Sequence, residues 1–154
     1  MHGEYLKSSL KDDKIYEKGV FNYGLKDGEW KSWYDNGFLK EIITWKKGRK
    51  TGAYKFFDKE GNLVEEGKFL EGDKNGICVS ISGKEIKRQS FKKGILDGVS
   101  KEYFNERLVR KGGYKKGLKH GSWEENGEKK FYKNGKFINK NKQTSKSGVF
   151  KEKS

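Results

Sequence analysis

A pair of glycines separated by three residues, with an aromatic on either side, returns along this chain at a nearly constant interval. The unit aromatic-x-x-Gly-x-x-x-Gly-x-aromatic reads FNYGLKDGEW from Phe21, WKKGRKTGAY from Trp45 and YKKGLKHGSW from Tyr114. FLEGDKNGIC from Phe69 and FKKGILDGVS from Phe91 keep both glycines and lose the second aromatic, and YKNG from Tyr132 is a half-copy. The first glycines, Gly24, Gly48, Gly72, Gly94, Gly117 and Gly135, are spaced by 24, 24, 22, 23 and 18 residues. A unit this short cannot enclose a core of its own, so each must bury its apolar side against its neighbours in an array. HGEY at His2 to Tyr5 matches HGSW at His120 to Trp123, so the numbering opens in mid-repeat and leaves upstream sequence as an open alternative.

Between glycine pairs lie two alternating runs with a turn signal between them. EWKSWY is followed by Asp35-Asn36-Gly37 and then FLKEIITW. Asn-Gly between alternating runs predicts a hairpin whose two turn residues both take positive φ. A two-residue loop at Asn36-Gly37 sets Tyr34 opposite Leu39, Ser32 opposite Glu41 and Trp30 opposite Ile43, with Trp30, Tyr34, Leu39, Ile43 and Trp45 on one face. One period later Tyr54 falls opposite Gly67, where an aromatic would cover bare strand backbone. The same spacing before each anchor gives Ile15-Glu17-Gly19-Phe21, Leu63-Glu65-Gly67-Phe69 and Leu108-Arg110-Gly112-Tyr114; the third hairpin offers Glu85, Lys87, Gln89 and Phe91 and should be the loosest. The Gly-x-x-x-Gly segments are expected as loops linking hairpins, with glycines at positive φ. The predicted fold is all-β: an elongated, single-layer, twisted antiparallel meander of about six units over residues 1–137, followed by a basic, mobile tail over 138–154.

Composition leaves room for this fold and little for catalysis. Leu, Ile, Val and Phe supply 33 of 154 residues, just above the roughly 20% level that marks highly charged disordered chains. The 14% aromatic content and the regular glycines argue for order. A single cysteine rules out an internal disulfide framework. No apolar run is long enough for a membrane-spanning helix and no signal peptide opens the chain, so a cytoplasmic location is expected. No phosphate-cradling loop, HExxH or zinc-spaced cysteine pair is present, and no cofactor or metal is expected. His2 and His120 occupy equivalent repeat positions and read as loop residues; Cys78 stands where other units carry an aromatic and reads as a small packing residue. The chain is therefore expected not to be an enzyme.

Glycine-rich units of this length, with an aromatic at each end and an Asn-Gly turn, resemble MORN repeats over roughly residues 2–137, in the bacterial variant found in YwqK-family antitoxins. The resemblance implies an elongated single-layer antiparallel sheet, contacts with protein partners or a second copy, and, in some members, binding to anionic lipid. It implies no reaction.

Two surfaces are candidates for such contacts. One is the aromatic face, with Trp30, Tyr34, Trp45, Tyr54, Phe56, Phe69, Phe91, Tyr114 and Trp123, core and surface at once in a single layer. The other is a basic edge where the glycine-pair segments line up, with Lys46, Lys47, Arg49, Lys50, Lys92, Lys93, Lys115, Lys116, Lys119 and Lys133, of which Lys46, Lys47, Lys92, Lys93, Lys115 and Lys116 are the candidate docking residues. A net charge of +14 favours anionic partners. A protein-binding scaffold, antitoxin-like or immunity-like, with a partner acidic in character, is the leading expectation. Docking on acidic phospholipid is the alternative, and nucleic acid ranks last.

Overall fold

The computed structural model describes residues 2–8, 12 and 14–139. Its strands are β1 (Gly3–Ser8), β2 (Ile15–Asn22), β3 (Leu25–Trp33), β4 (Leu39–Lys46), β5 (Arg49–Phe57), β6 (Leu63–Leu70), β7 (Asp73–Lys74), β8 (Gly76–Ser82), β9 (Glu85–Lys92), β10 (Ile95–Phe104), β11 (Arg107–Lys115), β12 (Leu118–Glu125), β13 (Glu128–Lys133) and β14 (Lys136–Ile138). They pair in chain order as one open antiparallel sheet, with β7 a short spur on β6. No helix occurs among the described residues. This is the all-β, elongated, single-layer meander expected from the repeat. Strand β14 runs one residue past position 137, and the tail expected beyond Asn139 lies outside the described residues.

At one edge the turns are Tyr23-Gly24, Lys47-Gly48, Glu71-Gly72, Lys93-Gly94, Lys116-Gly117 and Asn134-Gly135, each with positive φ at both residues, such as 49° and 77° at Lys47 and Gly48. Two consecutive positive φ values suit the right-handed twist of paired strands, which is why the first glycine of each unit sits here. Each turn is tied to the unit before it. Gly48 N–H donates to the Lys26 carbonyl, Gly72 to Lys50 and Gly94 to Lys74, all at 2.9 Å, and Gly117 to Leu96 and Gly135 to Lys119, both at 2.8 Å.

The Gly-x-x-x-Gly segments are not loops. The chain re-enters the sheet immediately after the first glycine, and the second lies within a strand, as Gly28 does in β3 and Gly52 in β5. There it stands opposite the next aromatic anchor: Gly28 faces Trp45, Gly52 faces Phe69, Gly76 faces Phe91 and Gly98 faces Tyr114.

The Asn36-Gly37 turn also differs from expectation. Gly37 alone takes positive φ, at 89°. Tyr34 N–H donates to the Phe38 carbonyl at 2.8 Å and Gly37 N–H to the Tyr34 carbonyl at 2.9 Å, so Asp35-Asn36-Gly37 is a three-residue loop. Asn36 is held by its side chain, which accepts from Phe38 N–H at 3.1 Å and donates to the Lys59 carbonyl at 2.7 Å in the next turn. Trp33, not Tyr34, therefore pairs with Leu39, and a bulge at Lys40 restores the predicted Ser32–Glu41 and Trp30–Ile43 pairs. Tyr54 pairs with Gly67 as the repeat predicts.

Candidate binding surfaces

The face that carries the aromatics is built from three rows crossing the strands. The middle row contains Tyr5, Gly19, Trp30, Ile43, Tyr54, Gly67, Cys78, Gln89, Ser100, Gly112 and Trp123. Most of its large side chains are almost fully buried: Trp30 is 3% exposed, Tyr54 1% and Trp123 1%. Each lies on a strand glycine. A Cβ at Gly19 would fall inside the Trp30 ring and one at Gly112 inside the Trp123 ring, while one at Gly67 would meet Cys78 Sγ at 2.6 Å. The indoles of Trp30 and Trp123 donate to the carbonyls of Val20 and Gly113, at 3.1 and 3.0 Å.

A second row alternates the aromatic anchors with the central residue of each glycine pair: Phe21 pairs with Lys26, Trp45 with Lys50, Phe69 with Lys74, Phe91 with Leu96 and Tyr114 with Lys119. These lysines lie over rings instead of reaching into solvent. Lys26 Nζ is 4.0 Å from the Trp30 centroid, Lys119 Nζ is 4.4 Å from Trp123, and Lys50 Nζ is 5.2 Å from Phe69. The third row carries carboxylates that receive the ammoniums. Lys26 bonds Glu17 at 2.7 Å, Lys74 bonds Glu65, and Lys119 bonds Glu125 together with Lys130 at 3.0 Å. The Lys119 and Lys130 bonds hold the Glu125 carboxyl down to about 2. Burial, with hydrogen bonds to Cys78 and Glu65, pushes the Tyr54 phenol well above its usual range; its hydroxyl donates to Glu65 at 2.6 Å.

The candidate aromatic face is thus closed by the chain's own charges. Trp30, Tyr54, Phe69 and Trp123 are buried, and Trp45, Phe56 and Phe91 pack half-buried against them. Tyr34 is half-buried and donates to the Phe57 carbonyl at 2.8 Å, joining adjacent units. Cys78 is 4% exposed beside Tyr54, in the packing role expected of it. His2 and His120 do not meet: His2 lies edge-on to Tyr23, and His120 sits in β12 with a buried Nδ1 that has no partner among the described residues.

On the basic edge, Lys46, Lys47, Lys92, Lys93, Lys115 and Lys116 are all exposed. The row is broken where Leu70 and Glu71 occupy the equivalent turn, and Glu71 is bonded by Arg49 at 2.7 Å. The Gly-x-x-x-Gly lysines Lys50 and Lys119 belong to the closed face, not to this edge. Reading those segments as loops hid that role. The signal was a lysine at the central position of four glycine pairs, Lys26, Lys50, Lys74 and Lys119.

The opposite face has no such cover. One row there runs Leu6, Lys18, Lys31, Ile42, Lys55, Glu66, Val79, Arg88, Lys101, Lys111, Glu124 and Lys129, each paired with the next. Beside it, Val20, Ile77 and Val99 are exposed. Among the described residues, no group of three or more His, Cys, Asp or Glu side chains is placed to hold a metal ion. No protein-family model matches this chain, and no curated protein matches it significantly.

Proposed function

We propose that this chain is a non-catalytic scaffold, a repeat array of the MORN type, that binds a protein partner across its sheet in the way an antitoxin or immunity protein holds its target. The observation that carries this reading is the contrast between the faces. One has its central rings covered by internal lysine–glutamate pairs, and the other presents exposed aliphatic side chains among lysines. Exposed apolar surface beside charge is the usual composition of an interaction site. The resemblance set out above supports the same reading. A photo-crosslinking residue at Ile77 or Val99 in the full chain, expressed in its native host, should give a discrete protein adduct. No protein adduct from any position on either face or edge would overturn it.

The six exposed turn lysines favour a second reading, in which the edge docks on acidic phospholipid. Charge reversal at Lys46, Lys47, Lys92, Lys93, Lys115 and Lys116 should then abolish co-sedimentation with phosphatidylserine vesicles and leave the fold nearly intact, since exposed substitutions typically shift stability by about 0.5 kcal/mol or less. Wild-type binding should also weaken with salt. Undiminished vesicle binding by the reversed-charge chain would exclude this edge.

A further inference from the structure

The open face carries a cluster that the fold does not explain. In register across β9, β10 and β11, Arg88 pairs with Lys101 and Lys101 pairs with Lys111, so three cations lie side by side on neighbouring strands. Like charges directly opposite each other destabilise a sheet. Elsewhere in the row like charges meet in one pair, Lys18 opposite Lys31, and there Lys31 bonds Glu29 at 3.1 Å; Ile42 separates Lys31 from Lys55, and Lys55 is 4.0 Å from Glu66. Among the described residues no carboxylate forms an ion pair with Arg88, Lys101 or Lys111, although Glu124 lies opposite Lys111 in register. Arg88 and Lys111 are exposed. Next to them a shallow trough is lined by Ile77, Arg88, Ser90, Val99, Lys101 and Tyr103, with Ile77 57% and Val99 55% exposed.

We infer that this patch is the docking site for an acidic amphipathic helix of a protein partner, lying across the strands with one acidic stripe on Arg88, Lys101 and Lys111 and an apolar stripe on Ile77 and Val99. The inference rests on the scaffold reading and names its partner's chemistry. Charge complementarity selects an acidic occupant. The cations step by one strand spacing, about 4.8 Å, close to the 5.4 Å turn of a helix, so carboxylates one turn apart reach successive cations. The aliphatic side chains stand two residues along the strands, about 6.7 Å away, within the roughly 10 Å width of a helix. An extended peptide suits the patch less well. Laid along these strands it would find no free backbone groups, because β9, β10 and β11 are paired on both sides. Laid across them, its same-side residues would repeat at about 6.7 Å and fall out of step with the cations. One flank is aliphatic, with Ile77 and Val99, and the trough holds a lone aromatic, Tyr103, short of the succession of rings on which single-stranded bases stack.

The probe is a stapled helical peptide with Glu at three positions one turn apart and Leu on the neighbouring stripe, read by fluorescence anisotropy against the full chain. A peptide of the same composition with the stripes scrambled is the control. The striped peptide should bind at least tenfold more tightly than the scrambled one, and K101E should weaken it at least tenfold. K101Q and R88Q, which remove charge without adding repulsion to the ligand, should each weaken it several-fold, with circular dichroism confirming the fold. The six-lysine charge reversal at the turns should leave striped-peptide binding within about twofold. Equal binding of both peptides, or an unaltered affinity in K101E and R88Q, overturns the proposal. So does stronger binding of phosphatidylserine vesicles or a single-stranded oligonucleotide that is lost in the same variants. If the peptide fails while a protein still cross-links elsewhere on the array, the scaffold reading stands without this site. If no protein cross-links anywhere, both fall.

Discussion

Strands β3 to β6 and strands β8 to β11 share one backbone plan and fill it in opposite ways. In the first region the buried middle row holds Trp30, Ile43 and Tyr54, while the cations behind it are separated or paired. In the second, the same row holds Cys78, Gln89 and Ser100, with Gln89 donating to the Ser100 hydroxyl at 3.3 Å, and the cations behind it are consecutive. Between β6 and β8 the register holds two pairs, Glu65–Ser80 and Glu66–Val79, so the ladder narrows where the second region begins. Two lessons come from the difference. Paired turns and strand ladders carry the fold even where aromatic packing is thin. And a region that gives up packing on one face and tolerates repulsion on the other breaks local rules without a structural gain, which is the pattern expected of a functional site.

The largest test of that contrast is truncation of the buried row. Trp30→Ala or Trp123→Ala should cost about 3–5 kcal/mol, the usual range for a buried aromatic. Ser100→Ala, which removes a single neutral hydrogen bond, should cost about 1 kcal/mol. Urea unfolding midpoints measure both, and equal losses would mean that the two regions are packed alike.

Turn glycines separate strain from crowding. At Gly48, with φ of 77°, a Cβ would lie 3.2 Å from Leu25 Cδ2, whereas at Gly72, with φ of 93°, it would meet nothing within 4 Å. Gly48→Val should cost about 2–3 kcal/mol and Gly72→Val about 1–2 kcal/mol, since backbone strain alone is of that order. Thermal melts showing no loss for either would remove the case for turn geometry as the common support of both regions.

Acid titration probes the closed face directly. Glu125 titrates near 2 in the folded chain against an ordinary 4.5, so its contribution is fully present above pH 4.5 and is lost as pH falls toward 2. With partly exposed lysine partners we expect that loss to be on the order of 2 kcal/mol. Glu125→Gln should flatten the stability profile in that window. An identical profile in the variant would show that the Lys119–Glu125–Lys130 cluster does not contribute.

The smallest effect has the most informative sign. Lys101→Glu places a carboxylate between Arg88 and Lys111 and should stabilise the fold by about 0.2–1 kcal/mol. A lower melting temperature would mean that the three cations are already accommodated, and the contrast with β3 to β6 would lose its electrostatic half.

Much of this was legible in the chain itself. The glycine period predicted the meander, and alternation placed Tyr54 on Gly67 and Trp30 opposite Ile43. What escaped was local. Asn36 uses its side chain to bond Phe38 and Lys59, so a sequence typical of a two-residue turn closes a three-residue one. The sequence places Lys50 and Lys119 on the basic edge and gives Lys26 and Lys74 no role, yet a long aliphatic stem can lie along rings while its head reaches a carboxylate. Lys26, Lys74 and Lys119 do this with Glu17, Glu65 and Glu125. The open-face cations could have been found by stepping one residue from each middle-row position, Lys31 from Trp30 or Lys101 from Ser100, which requires knowing every bulge in the register.

The hydrogen bond from each turn glycine to the carbonyl one unit back has an evolutionary consequence. Gly48, Gly72, Gly94, Gly117 and Gly135 each reach the preceding unit and no farther. Duplicating or deleting one hairpin therefore changes the partners of the flanking hairpins alone. The array can grow or shrink by whole units, and each event slides whatever side chains lie beyond it by two strand spacings, about 10 Å. Length in such a molecule is an inherited dial, and the distance between two surface patches can be reset without redesigning either.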